Sequence, residues 1–168
     1  AARMRIAVDA RKLYDGGIGT YVRGLLGALV VGYPRDEYTA LVDPAHKGSM
    51  RWPGDVHERA VRAGKYGLAE HFVVPRAARR VRAELLHAPH YTLPLGWGGP
   101  SVVTIHDLIH VRFAHLHRPG VGVYARFVAG LAVRRASVVI ADSTATQRDV
   151  VELLGARPDQ VKVVPLGV

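Results

Sequence analysis

A chain of 168 residues is long enough to bury one substantial core and too short for two domains of ordinary size. With 49% hydrophobic and 22% charged residues, and no apolar run near the ~20 residues a bilayer span requires, it reads as a soluble globular domain. It has no cysteine, which excludes disulfides, and its opening AARM lacks a signal-peptide pattern, so a cytoplasmic protein is expected. The formal charge of +9 points to an anionic partner (nucleic acid, a phospholipid surface or a phosphorylated small molecule) or to nothing beyond an arginine-rich composition. No C-x2-C, RNP-like aromatic strand or helix-turn-helix accompanies the charge, which sets nucleic acid aside.

Arg5 to Ala10 (RIAVDA) reads as a buried strand. After the glycine loop DGGIGTY, Ile18, Tyr21, Val22, Leu25, Leu26, Leu29 and Val30 recur at i, i+3, i+4 and i+7, the apolar stripe of a helix that Gly32 and Pro34 end. Strands are predicted at Tyr38 to Val42 and at Glu58 to Val61, the second carrying two charges. A helix from about Leu68 to Glu84 must kink or break at Pro75, and Leu85 to Ala88 is the next strand. Ser101 to Ile105 (SVVTI) runs into a histidine-rich loop; Pro119 then opens a helix with Tyr124, Phe127, Val128, Leu131 and Ala132 on one face, its apolar stripe. Ser137 to Ala141 (SVVIA) is a strand, and Ser143 or Thr144 caps the helix after it, with Thr144 and Gln147 in T-x-x-Q spacing and Gly155 as its stop. Val161 to Pro165 is the last strand. Alternating helices and short continuous apolar strands predict an α/β fold: an open, mostly parallel twisted sheet with helices on both faces.

Two loops, DGGIGTY and HDLIH, follow buried strands and should emerge at the carboxyl edge of that sheet, where such folds bind ligands. Gly17-Ile18-Gly19 begins several residues past its strand and Val22 stands at the third glycine position, so the loop is not a dinucleotide fingerprint. It does permit close backbone approach, and a helix opening at Ile18 aims unpaired N–H groups at an anion, a phosphate above all; an ordinary glycine-rich turn has the same sequence. His106 and Asp107 end the SVVTI strand, where neighbours point to opposite faces, so one faces the crevice and the other anchors the loop. His106, His110, His115 and His117 match no zinc spacing, and no metal is expected. Arg76, Arg79, Arg80 and Arg82, with Phe72, Val73 and Val81, form either a solvated helix face or a membrane-surface patch.

Taken together, DARKLYDGGIGTYV, LLHAPHYTLPL, VVTIHDLIH, ASVVIADSTATQRDVVELLGA and KVVPLGV occur in an order and spacing that resemble the N-terminal half of group 1 (family 4) glycosyltransferases of the GT-B fold. The resemblance covers almost the whole chain; Leu166 stands where asparagine is common in the VPxGV stretch. It implies a two-domain enzyme with its active site in a cleft between two Rossmann-like halves. The resemblance implies that residues 1–168 are the single N-terminal, acceptor-side domain and that the C-terminal donor-binding half, with its paired glutamates, lies outside them. Such a half is expected to be inactive alone.

The implied reaction moves a sugar from a nucleotide-diphosphate sugar to a glycan, lipid or small-molecule acceptor, with retention of configuration and no agreed protein nucleophile. No cofactor is expected beyond the donor substrate. Carried over by motif, Gly17, Gly19 and Thr20 lie on the donor-diphosphate side, and His106 contacts the transferred sugar as a positioning and polarising group. Arg11, Tyr14, His90 and Tyr91, in loops after the first and fourth main strands, are the acceptor-side candidates; Ser143 and Thr144 either meet the cleft or cap their helix. Expected partners are the nucleotide sugar, the acceptor, the missing domain and, peripherally, the inner face of a membrane. A stand-alone module binding a phosphorylated ligand or carbohydrate is the alternative.

Overall fold

The computed structural model describes residues 3–64, 67–113 and 120–167. The chain divides into two compact units, Ala1–Pro89 with Pro94–Pro100 and His90–Leu93 with Ser101–Val168. The first contains β1 (Arg5–Asp9), α1 (Gly16–Gly32), β2 (Glu37–Val42), β3 (Val56–Ala60), α2 (Glu70–Arg80) and β4 (Leu85–Ala88). The second contains β5 (Ser101–Ile105), α3 (Ile109–Arg112), α4 (Val121–Arg135), β6 (Val138–Ala141), α5 (Thr144–Leu154) and β7 (Val161–Val163).

In the first unit β2 and β4 flank β1, β3 lies outside β2, and all three pairs are parallel. Ala7, Val8 and the whole run Tyr38–Val42 are buried, as strands covered on both faces require. β3 instead alternates half-buried and exposed residues; it is an edge strand, and Glu58 and Arg59 are the kind of charges that protect an edge. Val22, Leu26 and Val30 of α1 pack with Val8, Leu13, Tyr38 and Val42 into one apolar cluster, so the 3.6-residue periodicity of the sequence marks the buried stripe.

α2 is shorter than its sequence pattern and keeps Pro75 inside it. A proline there cannot donate to the carbonyl of His71, four residues earlier. That carbonyl instead accepts the N–H of Gly96 at 3.0 Å, and a Cβ on residue 96 would stand 2.6 Å from the same oxygen, so only glycine can repair the bond.

In the second unit β5 pairs with β6 and β6 with β7, again parallel. α4 corrects the sequence reading. Its buried residues are Gly122, Ala125, Ala129, Ala132 and Val133, whereas Phe127 is 69% exposed and Tyr124 also faces solvent; Val128 and Leu131 are half-buried. Both sets obey the helical period; the alanines bring α4 close to β5 and α5, so the small residues, not the large ones, set the packed face. His115, His117 and Pro119 lie outside the described residues. α5 is capped by Ser143, whose Oγ accepts the N–H of Thr146 at 3.1 Å. Gln147 does not complete a capping box; its side-chain amide donates to the Val161 carbonyl at 3.3 Å and ties α5 to β7. Gly155 ends the helix as expected. The fold is thus Rossmann-like: parallel strands alternating with helices in both units.

Candidate functional site

At the carboxyl end of β1, in the first unit, the chain turns tightly through residues 10–15, with Leu13 N–H on the Ala10 carbonyl and Asp15 N–H on that of Lys12. Arg11 holds this turn from inside. Its Nε and one terminal nitrogen donate to the two oxygens of Asp9 at 2.8 and 2.7 Å, and the same terminal nitrogen reaches Glu70 Oε2 at 3.1 Å. The side chain is 3% exposed. Burial alone would lower the pKa of Arg11; the hydrogen bonds and charges of Asp9 and Glu70 more than reverse this and leave it above the ordinary value. Arg11, expected on the acceptor side, thus has its guanidinium enclosed by Asp9 and Glu70 and not directed to solvent.

Tyr14, by contrast, keeps its ring half-exposed. Its hydroxyl meets Ser49 Oγ at 2.7 Å and the ring lies 4.6 Å from that of His46.

α1 opens at Gly16, two residues before the position its apolar stripe indicated. Asp15 makes no side-chain cap bond there, so the amides of the first turn are left to other acceptors. Gly17 is exposed, with nothing within 4 Å of a Cβ position. Gly19 differs from its expected role: its N–H donates to the Asp15 carbonyl at 3.1 Å, and a Cβ would lie 2.3 Å from the Leu13 carbonyl oxygen. It is glycine because the turn packs on it, and its amide is already used within the helix. Thr20 is exposed; its hydroxyl donates to the Gly16 carbonyl and accepts from Arg23.

At the carboxyl end of β5, in the second unit, His106 and Asp107 lie just beyond the strand and their side chains take different partners. Asp107 Oδ1 accepts the Ile109 N–H at 3.1 Å and starts the single turn of α3. The His106 imidazole, partly exposed, has Nδ1 3.5 Å from Asp142 Oδ2 at the end of β6. Thr146, buried in the first turn of α5, places its hydroxyl 3.0 Å from the His106 carbonyl and 3.1 Å from Asp142 Oδ1. His90 and Tyr91 belong to the same unit. His90 is buried, its Nδ1 accepts the Thr92 N–H, and its ring stands edge-on to Tyr91 at 6.3 Å. An accepting Nδ1 places the proton of the neutral ring on Nε2.

Sequence reasoning missed Asp142, Thr146 and Glu70. Asp142 was findable, because it follows the SVVIA strand as His106 follows SVVTI, and the same strand-end rule selects both. Glu70 had no local signal: its partner Arg11 is 59 residues away. Among the described residues, no three or more histidine, aspartate or glutamate side chains group so as to hold a metal ion. No described helix is long and apolar enough to cross a membrane.

Comparison with known proteins defines the class. The family model described as Glycosyltransferase Family 4 matches residues 15–168, so the chain belongs to that family. It is 39% identical over 74 residues to the D-inositol 3-phosphate glycosyltransferase of Acidothermus cellulolyticus, a match covering 43% of this chain and 16% of that protein. Among solved structures it is similar to Anabaena HepE (Alr3699) in complex with UDP and glucose, with a TM-score of 0.64 at 18% identity over 99% of this chain and 45% of that one. A glycosyltransferase of Rickettsia africae gives a TM-score of 0.60 at 10% identity, over 100% and 44%. The chain therefore spans less than half the length of each of these relatives, and what it shares with the two structures is the Rossmann-like domain of GT-B glycosyltransferases.

Proposed function

We propose that this chain is the acceptor-side domain of a retaining glycosyltransferase that takes a sugar from a nucleotide diphosphate and works with a second, donor-binding domain. The family match over residues 15–168 carries this reading. In this reading His106 of the second unit orients and polarises the transferred sugar; in the first unit, the first turn of α1 at Gly16 and Gly17 offers amides to a diphosphate. The proposed closure of the two domains excludes water that would hydrolyse the donor. HepE was solved with UDP and glucose, which makes UDP-glucose the first donor to try; the inositol-phosphate relative makes a phosphorylated polyol the first acceptor.

The test is a titration of the isotope-labelled chain with UDP-glucose and inositol phosphate, followed by amide and imidazole resonances, beside a turnover assay. The expected result is perturbation at Gly16, Gly17 and His106 and no turnover by residues 1–168 alone. Substantial transfer by these 168 residues would overturn the half-site reading. Binding that leaves all three positions unmoved would overturn the site.

Peripheral membrane contact, at the inner face of a membrane, belongs to the same proposal. Leu68, just before α2, is 83% exposed and Phe72 72%, and Arg76, Arg79 and Arg80 are exposed along the same helix. Exposed apolar groups beside cations suit an anionic lipid surface. Arg79 is already engaged by the Gly96 carbonyl and lies over the Trp97 ring, so Arg76 and Arg80 are the cations to test. Replacing both by glutamine should weaken binding to phosphatidylserine vesicles by about 2 kcal/mol, at ~1 kcal/mol per arginine. Binding that is equally strong in the variant, or insensitive to salt, would remove this contact.

A further inference from the structure

We infer that Asp142 is the positioning residue for His106, holding the imidazole with its proton on Nδ1 and leaving Nε2 as the accepting nitrogen. The two oxygens of Asp142 have different neighbours. Oδ1 lies 3.1 Å from the Thr146 hydroxyl, and Oδ2 lies 3.5 Å from His106 Nδ1. Thr146 is fixed in turn: it is 7% exposed, its N–H is held by Ser143 Oγ, and its hydroxyl also meets the His106 carbonyl. One buried threonine thus links the ends of β5 and β6 and fixes which carboxylate oxygen faces the ring. Asp107, the other carboxylate beside His106 in sequence, is turned to the Ile109 amide.

An ionised carboxylate can only accept, so the ring nitrogen facing it is favoured as N–H. This departs from the preference of free histidine in water, where the neutral ring mainly carries its proton on Nε2. It also gives His106 the opposite tautomer to that of His90, whose Nδ1 accepts from Thr92.

Asp142→Asn tests this directly. The neutral amide loses the charge that favours N–H at Nδ1 and carries an NH2 group that can turn toward that nitrogen; Nδ1 then accepts, and the proton moves to Nε2. The measurement is the pair of imidazole 15N shifts of His106 in the full chain at alkaline pH, assigned with His106→Gln. The wild type should show the Nδ1–H form as the major one and Asp142→Asn the Nε2–H form, while Asp142→Glu keeps the wild-type pattern. Should Asp142→Asn lose its dispersed amide spectrum, Asp142→Ala serves instead, since removing the acceptor returns the ring to its preference in water. A wild-type ring already protonated on Nε2, or a tautomer ratio that no Asp142 variant changes, would overturn the inference.

The kinetic consequence rests on the proposed function and is separable from it. In the complete enzyme, Asp142→Asn should lower kcat roughly ten- to a hundred-fold with KM little changed, the usual effect of removing a group that orients a functional histidine. If the tautomer moves and kcat does not, Asp142 still positions His106, and it is the place of His106 in the transfer site that fails.

Discussion

The turn after β1 and the strand ends of β5 and β6 carry charged groups at equivalent points of the fold, yet they use them differently. In the turn, Arg11 is enclosed: Asp9 and Glu70 take donors of its guanidinium at 2.7 to 3.1 Å, and its other terminal nitrogen donates to the Ala63 carbonyl. At the strand ends, Asp142 braces His106 through one ring nitrogen, and the imidazole keeps 19% of its surface exposed. An enclosed ion pair is structural, because its geometry is complete without a ligand. A braced imidazole that keeps part of its surface accessible is the arrangement chemistry uses, because its partner sets its tautomer. Strand-end position nominates a residue; how its hydrogen-bonding capacity is filled decides its role.

The largest effect should come from removing the enclosed cation. Arg11→Met leaves two buried carboxylates facing each other and should cost about 3–5 kcal/mol of unfolding free energy in a denaturant titration. Adding Asp9→Asn and Glu70→Gln to the same chain should recover most of that loss. Because the pKa of Arg11 is raised, the stabilisation it gives is fully present below its ordinary value and is lost only as pH rises through the folded one, in strong alkali. A chain that keeps its stability in Arg11→Met but binds acceptor less well would reverse the comparison and return Arg11 to the acceptor side.

His106→Ala should show the opposite signature. Its removal takes away a group with an accessible face, so stability should change by less than about 1 kcal/mol. Turnover of the complete enzyme should nevertheless fall ~10²- to 10³-fold, the range expected for loss of one preorganised contact to developing charge. Unchanged turnover would remove His106 from the site.

Much of this was legible in the sequence, and the exceptions have physical causes. Strand positions and the buried stripe of α1 could be read because period and hydrophobicity agree there. α4 could not, because two stripes share one period and the alanines, whose side chains carry little hydrophobic signal, are the ones that pack. His106 and Asp107 could be singled out because they follow a buried strand, but both lie past its last residue, so alternation did not tell which of them holds the loop. The enclosure of Arg11 did not, since it depends on Glu70 from a different element, and Gly19 looked like a ligand-facing glycine until the Leu13 carbonyl was placed beside it. Local pattern reports which element a residue occupies; it does not report what the rest of the fold brings to meet it.

Gly17 and Gly19, read alike in the sequence, allow the smallest and most discriminating test. Gly19→Ala puts a Cβ 2.3 Å from the Leu13 carbonyl oxygen and 2.7 Å from its carbon, both backbone atoms that can yield only by moving the turn. The cost should be ~1–3 kcal/mol, as for other overpacked sites. Gly17→Ala meets nothing within 4 Å and lies in the first turn of a helix, where alanine restricts the unfolded chain more than glycine does. It should therefore raise stability by about 0.4–1 kcal/mol. If the donor diphosphate rests on this turn, the methyl group that stabilises the fold also stands in the path of the phosphate, so thermal stability and donor affinity should move in opposite directions. Gains in both would show that the anion binds elsewhere.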